Sequence, residues 1–277
     1  AGFRESLSLA KILTVTNQKG GVGKTTTSVN LAASLAAMNK RVLLIDLDPQ
    51  GNATMGSGVE KQELTLSIYE VLTDQAETKD AIIGGLETGF DLLGANGDLT
   101  AAEVELLDLP RREFRLKMAL MPIADQYEYI LIDNPPSLNL LTVNALACSD
   151  GVIIPMQCEY YALEGISALV GTIDRIQKRL NPKLKIEGIL RTMFDPRMSL
   201  TKDVSEHLVE YFGERVYRTV IPRNVRLAEA PSHGLAALQY DKHSRGALAY
   251  LALAGELIRR NDQSTTSSAK EAKESEV

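Results

Sequence analysis

The run Gln18-Lys19-Gly20-Gly21-Val22-Gly23-Lys24-Thr25-Thr26 decides how this chain is read. An apolar stretch, Ile12 to Val15, precedes it, and a helix-like segment starts near Thr25. A strand, a glycine-rich loop and a helix in that order form a cradle for phosphate. Glycines let the backbone curl until successive N–H groups point inward at an anion. The positive end of the following helix is aimed at the same place. In this pattern Lys24 reaches the β- and γ-phosphates and the Thr25 hydroxyl sits on Mg²⁺. The chemistry expected is binding of a nucleoside triphosphate with magnesium, through Gly20, Gly21, Val22, Gly23, Lys24, Thr25 and Thr26.

Two further strand ends carry acids. Val42-Leu43-Leu44-Ile45 runs into Asp46-Leu47-Asp48-Pro49-Gln50-Gly51-Asn52. Carboxylates at i and i+2 after a buried strand point the same way at the rim of a sheet. Ile130-Leu131-Ile132 runs into Asp133-Asn134-Pro135-Pro136-Ser137. The paired prolines stop that strand and stiffen its loop. An acid placed there holds the magnesium shell in phosphoryl-transfer sites.

Along the chain, short apolar runs alternate with helical patterns. Residues 12–15, 42–45, 130–132 and 152–154 lack period-two alternation, as strands buried on both faces do; residues 186–190 and 216–221 are weaker strand candidates. Leu163, Ile166, Leu169, Ile173, Ile176 and Leu180 make one apolar helical face. Helices are also expected over 25–38, 69–72, 103–121 with a break near Pro110, 200–212 and 247–260. The fold class expected is α/β: a single doubly wound, mostly parallel sheet flanked by helices. Residues 1–10 read as a flexible N-terminus, 11–260 as the ATPase domain, and 261–277 as a disordered polar tail.

Composition bounds the alternatives. The chain has 277 residues, 44% apolar and 24% charged, ordinary for a soluble globular protein. No apolar stretch approaches the roughly 20 residues that span a bilayer, and Ala1 to Ala10 does not read as a signal peptide. Two cysteines, Cys148 and Cys158, make no disulfide framework. A cytoplasmic location fits. With 5% aromatic residues and no tryptophan, a base-stacking platform is poorly supported. Net charge is −6, yet residues 215–245 carry six cations against two acids. That excess can form a basic face, decorate solvated helix faces or serve nucleotide. His207, His233 and His243 lack metal-ligand spacing.

One departure narrows the family. The general pattern wants glycine five residues before Gly23, where Gln18 stands, followed by Lys19. Lysine followed by GGVGKTT resembles the deviant Walker A motif of the ParA/MinD ATPases. Further stretches match the Soj type of ParA, the partition ATPases: LIDLDPQGNAT from Leu44, ILIDNPPSLNLLTVNAL from Ile130, IPMQCEYYALEG from Ile154 and IPRNVRLAEAPSHG from Ile221. The resemblance runs from about Lys11 to Arg260. It implies that Lys19 crosses a dimer interface to the partner's phosphates while Lys24 acts in its own subunit. It implies that Asp48 positions or activates the attacking water and stands with Thr25 and Asp133 around magnesium. Asp133 is the Walker B acid, followed by Asn134 where cysteine is more usual. Pro222, Arg223 and Asn224 match the segment near adenine and ribose. The partners implied are a second copy when ATP is bound, double-stranded DNA gripped without sequence preference in the nucleoid, and a ParB-type protein that stimulates hydrolysis. Candidate DNA contacts are Arg226, Lys242 and Arg245, with Arg197 and Lys202 behind them. Residues 264–277 lack the large apolar residues of a MinD-like membrane helix, and no membrane partner is expected. The cysteines lack the glycine-flanked loops of a cluster-bridging reductase, and a ParA-like positioner of non-DNA cargo shares all these features.

Overall fold

The apolar runs become strands whose alternate side chains enter two different cores. Leu13, Val15, Val42, Leu44, Tyr129 and Leu131 pack on one side with the helices Lys24–Ala37 and Arg245–Glu274. Leu43, Ile45, Ile130 and Ile132 pack on the other, with Leu141 and Ala145 of Leu140–Cys148. Both faces being buried, the strands need no polar positions, which is why period two is missing from the sequence. A computed structural model describes residues 10–274, with side chains described as far as 266; most of the segment expected to be a flexible N-terminus lies outside the described residues.

The strands are β1 Lys11–Val15, β2 Val42–Asp46, β3 Ile82–Ile83, β4 Asp91–Leu93, β5 Tyr129–Asp133, β6 Gly151–Gln157 and β7 Lys185–Thr192. Their spatial order is β3-β4-β2-β5-β1-β6-β7. All neighbours are parallel except β3 against β4. The chain leaves β1 toward β2, returns to place β5 between them, then moves outward through β6 and β7. The order therefore reverses at β1 and β5, where a crevice opens beyond the carboxyl ends of the strands. The expected doubly wound sheet is the one observed. A third core lies under the helices Ala162–Arg179 and Ser199–Phe212, where Ile166, Leu169, Ile173, Leu208 and Phe212 meet Val152, Ile154 and Ile189.

Several elements depart from expectation. Residues 216–221 form no strand, only isolated bridges Ile189↔Val216 and Phe194↔Pro222. The Glu256 carboxylate takes the N–H groups of Arg218 (2.7 Å) and Thr219 (3.0 Å), so no ladder continues there. The region around Pro110 divides into the helices Leu99–Glu105 and Arg115–Leu120 with short turns between. Ser67 starts the helix Ile68–Leu72 through a capping box with Glu70. The last helix begins at Arg245 and continues to Glu274, where a disordered tail from 261 was expected. Residues 261–274 are Asn, Asp, Gln, Ser, Thr, Ala, Lys and Glu, with no glycine or proline to break a helix. The hydroxyls of Thr265 and Thr266 turn back onto the carbonyls of Asn261 (3.0 Å) and Asp262 (2.9 Å).

Gly188 in β7 allows the fully buried Tyr217 ring to lie flat on the strand. A Cβ at that position would stand 2.2 Å from Tyr217 Cε2. Gly188→Ala is expected to cost about 1–3 kcal/mol through overpacking. Thermal unfolding checks this, at roughly 2–4 °C of Tm per kcal/mol for a chain of this size.

Candidate functional site

The glycine loop closes the crevice between β1 and the helix Lys24–Ala37. Gly21 (φ 71°) and Gly23 (φ 85°) occupy the left-handed region that favours glycine. Gly23 is the residue at which the helix starts, and its carbonyl accepts the first helical bond from Thr27 N–H at 2.9 Å. The loop is tied down from neighbouring strands. Thr192 Oγ1, at the end of β7, donates to the Val22 carbonyl (2.7 Å). Asn17 bridges the Pro155 carbonyl (2.9 Å) and the Lys19 N–H (3.0 Å). Lys24 is buried and bends back, its Nζ donating to the Lys19 carbonyl at 2.8 Å. Burial pulls the Lys24 ammonium below its usual range, and the nearby Asp133 and Asp48 carboxylates oppose that pull. Loop, lysine and helix start therefore lie together at the end of β1. Gly20 and Thr26 complete the loop and the first turn.

Strand register brings the acids to that space. Asp46 and Asp133 are paired residues at the ends of β2 and β5. Asp133 is fully buried and accepts from Thr25 Oγ1 (2.8 Å) and Ser28 Oγ (2.7 Å). Burial pushes its carboxyl up, while the two hydroxyls pull it back. Asp46 is also fully buried, and its oxygens are occupied by Asp48 N–H (3.1 Å), Thr54 N–H (2.9 Å) and Thr54 Oγ1 (2.7 Å). Burial raises its pKa first, the neighbouring Asp133 second. The sequence put Asp46 and Asp48 side by side at the rim, and the structure separates them. Asp46 braces the turn that leads to Asn52–Gly56, because Thr54 folds back onto it. Asp48 is half-buried in the loop, with Oδ1 accepting from Gln50 N–H at 3.0 Å. Its charge is felt at both Lys24 and Asp133.

The other candidates are exposed or bonded elsewhere. Lys19 is exposed, and its ammonium pairs with Glu159 of its own chain beyond β6. Residues 221–224 lie beside the end of β7, held by Phe194 N–H on the Ile221 carbonyl (2.9 Å) and Ile221 N–H on the Arg191 carbonyl (2.9 Å). Pro222 is half-buried, Arg223 is exposed, and Asn224 Oδ1 caps the helix Val225–Glu229 through Arg226 N–H (3.1 Å). Among the DNA candidates, Lys202, Lys242 and Arg245 are exposed. Arg197 is forked onto Asp195 at 2.9 and 2.8 Å. Arg226 is engaged by Glu229 (2.8 Å) and Asp241 (3.2 Å), so the basic excess counted along the sequence is partly neutralised.

Sequence reasoning missed three contributors. Ser28 is one, although Thr25 and Ser28 at i and i+3 share a helix face. Thr192, at the end of β7, and Glu159, past the end of β6, reach the loop from far along the chain and carry no local signal. Asn134 is buried, with Nδ2 donating to the Val15 carbonyl (3.4 Å) and Oδ1 unpartnered. Cys148 and Cys158 are buried and free, and burial pushes their thiols up to about 12 and about 11, so neither presents a thiolate. Among the described residues no group of three or more His, Cys, Asp or Glu is placed to hold a metal ion, and no helix is long and apolar enough to cross a membrane.

A glycine loop capped by a helix, with a buried lysine and an acid bonded to the loop's threonine at a doubly wound sheet's switch point, defines a P-loop ATPase. Residues 10–186 match a family model described as AAA domain. The chain is 55% identical to sporulation initiation inhibitor protein Soj of Bacillus subtilis, over 90% of this chain and 98% of that one. It is 50% identical to chromosome partitioning protein ParA of Myxococcus xanthus, over 94% and 92%. A solved structure from Mycobacterium smegmatis, described as cobyrinic acid a,c-diamide synthase with bound ADP and magnesium, is 37% identical over 92% of this chain and 96% of that one, with a TM-score of 0.81. The chain belongs to the ParA/Soj family of P-loop ATPases within the AAA-domain group.

Proposed function

We propose that this chain is a partition ATPase in which bound ATP pairs two copies, the pair grips DNA without sequence preference, and hydrolysis stimulated by a ParB-type partner releases it. The observation that carries the reading is the Thr25 Oγ1–Asp133 contact at 2.8 Å directly beneath the glycine loop. A hydroxyl and a carboxylate oxygen at the loop's base are hard donors suited to magnesium, and loop N–H groups with Lys24 suit the phosphates it accompanies. Thr25 and Asp133 would hold the magnesium, which when bound would neutralise charge on the β- and γ-phosphates. Gly20 to Thr26 bind the triphosphate, Lys24 stabilises charge on the γ-phosphate, and Asp48 orients the attacking water. Pro222, Arg223 and Asn224 flank the base and ribose. A doubly wound rim of this kind fits a nucleoid-associated cytoplasmic protein as well as a ParA-like positioner of other cargo.

Lys19 supplies the switch. Its solvent-facing ammonium, held among the described residues only by an exposed pair with Glu159, costs little to redirect, since such pairs contribute about 0–1 kcal/mol. Reaching a partner's phosphates, it makes association depend on the terminal phosphate. With a non-hydrolysable analogue and magnesium, the parental chain is expected to run as a dimer on size exclusion, and Lys19→Ala to bind the analogue yet stay monomeric. A parental chain that stays monomeric with nucleotide bound would sink the reading.

The DNA face depends on phosphate neutralisation, so retention should fall steeply with salt. Arg226→Glu with Arg245→Glu is expected to abolish ATP-dependent DNA retention while leaving ATP-driven dimers intact. Filter retention of duplex DNA with ATP, ADP and no nucleotide, at two salt concentrations, measures it.

A further inference from the structure

We propose that a groove at the outer edge of the sheet, beyond β7, docks an acidic amphipathic peptide segment of a partner protein. The groove encloses about 1170 Å³ and lies between the last helix and the segment 209–219. Leu251, Ala252, Gly255 and Arg259 fall on one face of the helical wall, and Val209, an exposed apolar side chain, stands on the other wall. From Leu251 to Gln263 that wall is thirteen residues long, about 18 Å end to end at 1.5 Å per step.

Charge decides the class of occupant. Arg215, Arg218 and Arg259 line the groove, are exposed, and form no ion pair among the described residues. The acids beside them are largely engaged elsewhere. Lys11 holds Glu187 at 3.0 Å, and Glu256 is held by two backbone N–H groups and by Arg260 at 3.3 Å. Among the described residues, Glu214 is the one acid lining the groove that forms no ion pair or hydrogen bond through its side chain.

A peptide meets these demands and a nucleic-acid duplex does not. Its apolar side chains cover Val209, Leu251 and Ala252, and its carboxylates meet three arginines whose forks suit carboxylate. An amphipathic helix laid along the last helix presents apolar and acidic side chains to the same wall, whereas a duplex brings no apolar side chains to cover Val209 and Leu251. The groove shares no residue with the phosphate cradle, so the inference stands apart from the proposed nucleotide switch.

The test is selection of random dodecapeptides displayed on phage against the full chain without nucleotide, followed by fluorescence anisotropy with the selected peptides. The expected result is a consensus rich in Asp, Glu and large apolar residues. Binding should weaken more than tenfold in Arg215→Glu/Arg218→Glu/Arg259→Glu and, separately, in Ala252→Glu at an exposed wall position, with ATP hydrolysis and melting curves unchanged in both. No acidic consensus, or equal binding by both variants, overturns the proposal. So does loss of duplex DNA retention in the triple variant, which would make the groove a DNA surface, or loss of a nucleotide-free dimer, which would make it a self-interface. Because nucleotide is absent from the binding assay, its failure leaves the ATPase reading untouched.

Discussion

Lys24→Ala is expected to weaken ATP binding by a factor on the order of 10²–10⁴ and to remove hydrolysis with it. The Lys24 ammonium is buried inside the glycine loop and bends back onto the Lys19 carbonyl at 2.8 Å. A triphosphate entering the loop exchanges that neutral acceptor for anionic oxygens. Two charge-assisted bonds at about 1.5–3 kcal/mol each account for the size of the loss. The environment strengthens the argument. Asp133 and Asp48 both act on Lys24, so without its charge an incoming polyphosphate meets two carboxylates with one fewer cation to offset them. The fold itself should tolerate the change, because among the described residues the ammonium bonds only a loop carbonyl. Equilibrium binding of a fluorescent ATP analogue, beside a thermal melt, separates the two effects. Undiminished binding in a well-folded variant would remove Lys24 from the site. Lys24→Arg keeps the charge but brings a planar fork into a nearly closed position, and it should rescue little.

What was legible in the sequence was whatever is local. The cradle is a strand, a loop and a helix start within a few consecutive residues, and glycine spacing alone predicts its conformation. Asp133 was legible for the same reason, as an acid terminating an unbroken apolar run. The switch-point crevice followed from alternation of strands and helices. What escaped depends on partners far along the chain. Asp46 and Asp48 look equivalent until Thr54 turns back onto Asp46 and Ala95, from beyond β4, donates to Thr54 Oγ1 at 2.9 Å. Residues 216–221 have strand composition, but Glu256 takes two of their N–H groups. β3 and β4 contain two and three residues, too few for any period to register. Lys19 was legible as an odd lysine, yet its pairing with Glu159 was not, since 140 residues separate them. The basic stretch misled for a related reason: counting charges along the chain ignores that Arg226 sits between Glu229 and Asp241.

Asp48→Ala is expected to cut ATP hydrolysis by a factor on the order of 10²–10⁴, the range for a group that orients and deprotonates a nucleophile, while ATP binding changes little. Asp48 is half-buried, follows β2 by two residues, and spends one carboxylate oxygen on Gln50 N–H at 3.0 Å. The other oxygen makes no hydrogen bond among the described residues and lies close enough for its charge to act on Lys24 and Asp133. That is the position from which a carboxylate can accept from water beside a phosphate held by Lys24. Alanine preserves the Asp48 N–H that braces Asp46 at 3.1 Å, so the loop should keep its path. With hydrolysis blocked and binding retained, the nucleotide-bound pair should accumulate, and DNA retention with ATP should outlast that of the parental chain. Asp48→Asn sharpens the result. It keeps an acceptor for Gln50 N–H and removes only the charge, so a rate as low as alanine's assigns the loss to the carboxylate rather than to the turn. Phosphate release under saturating ATP is the measurement, and a parental rate in both variants would exclude Asp48 as the group that orients water.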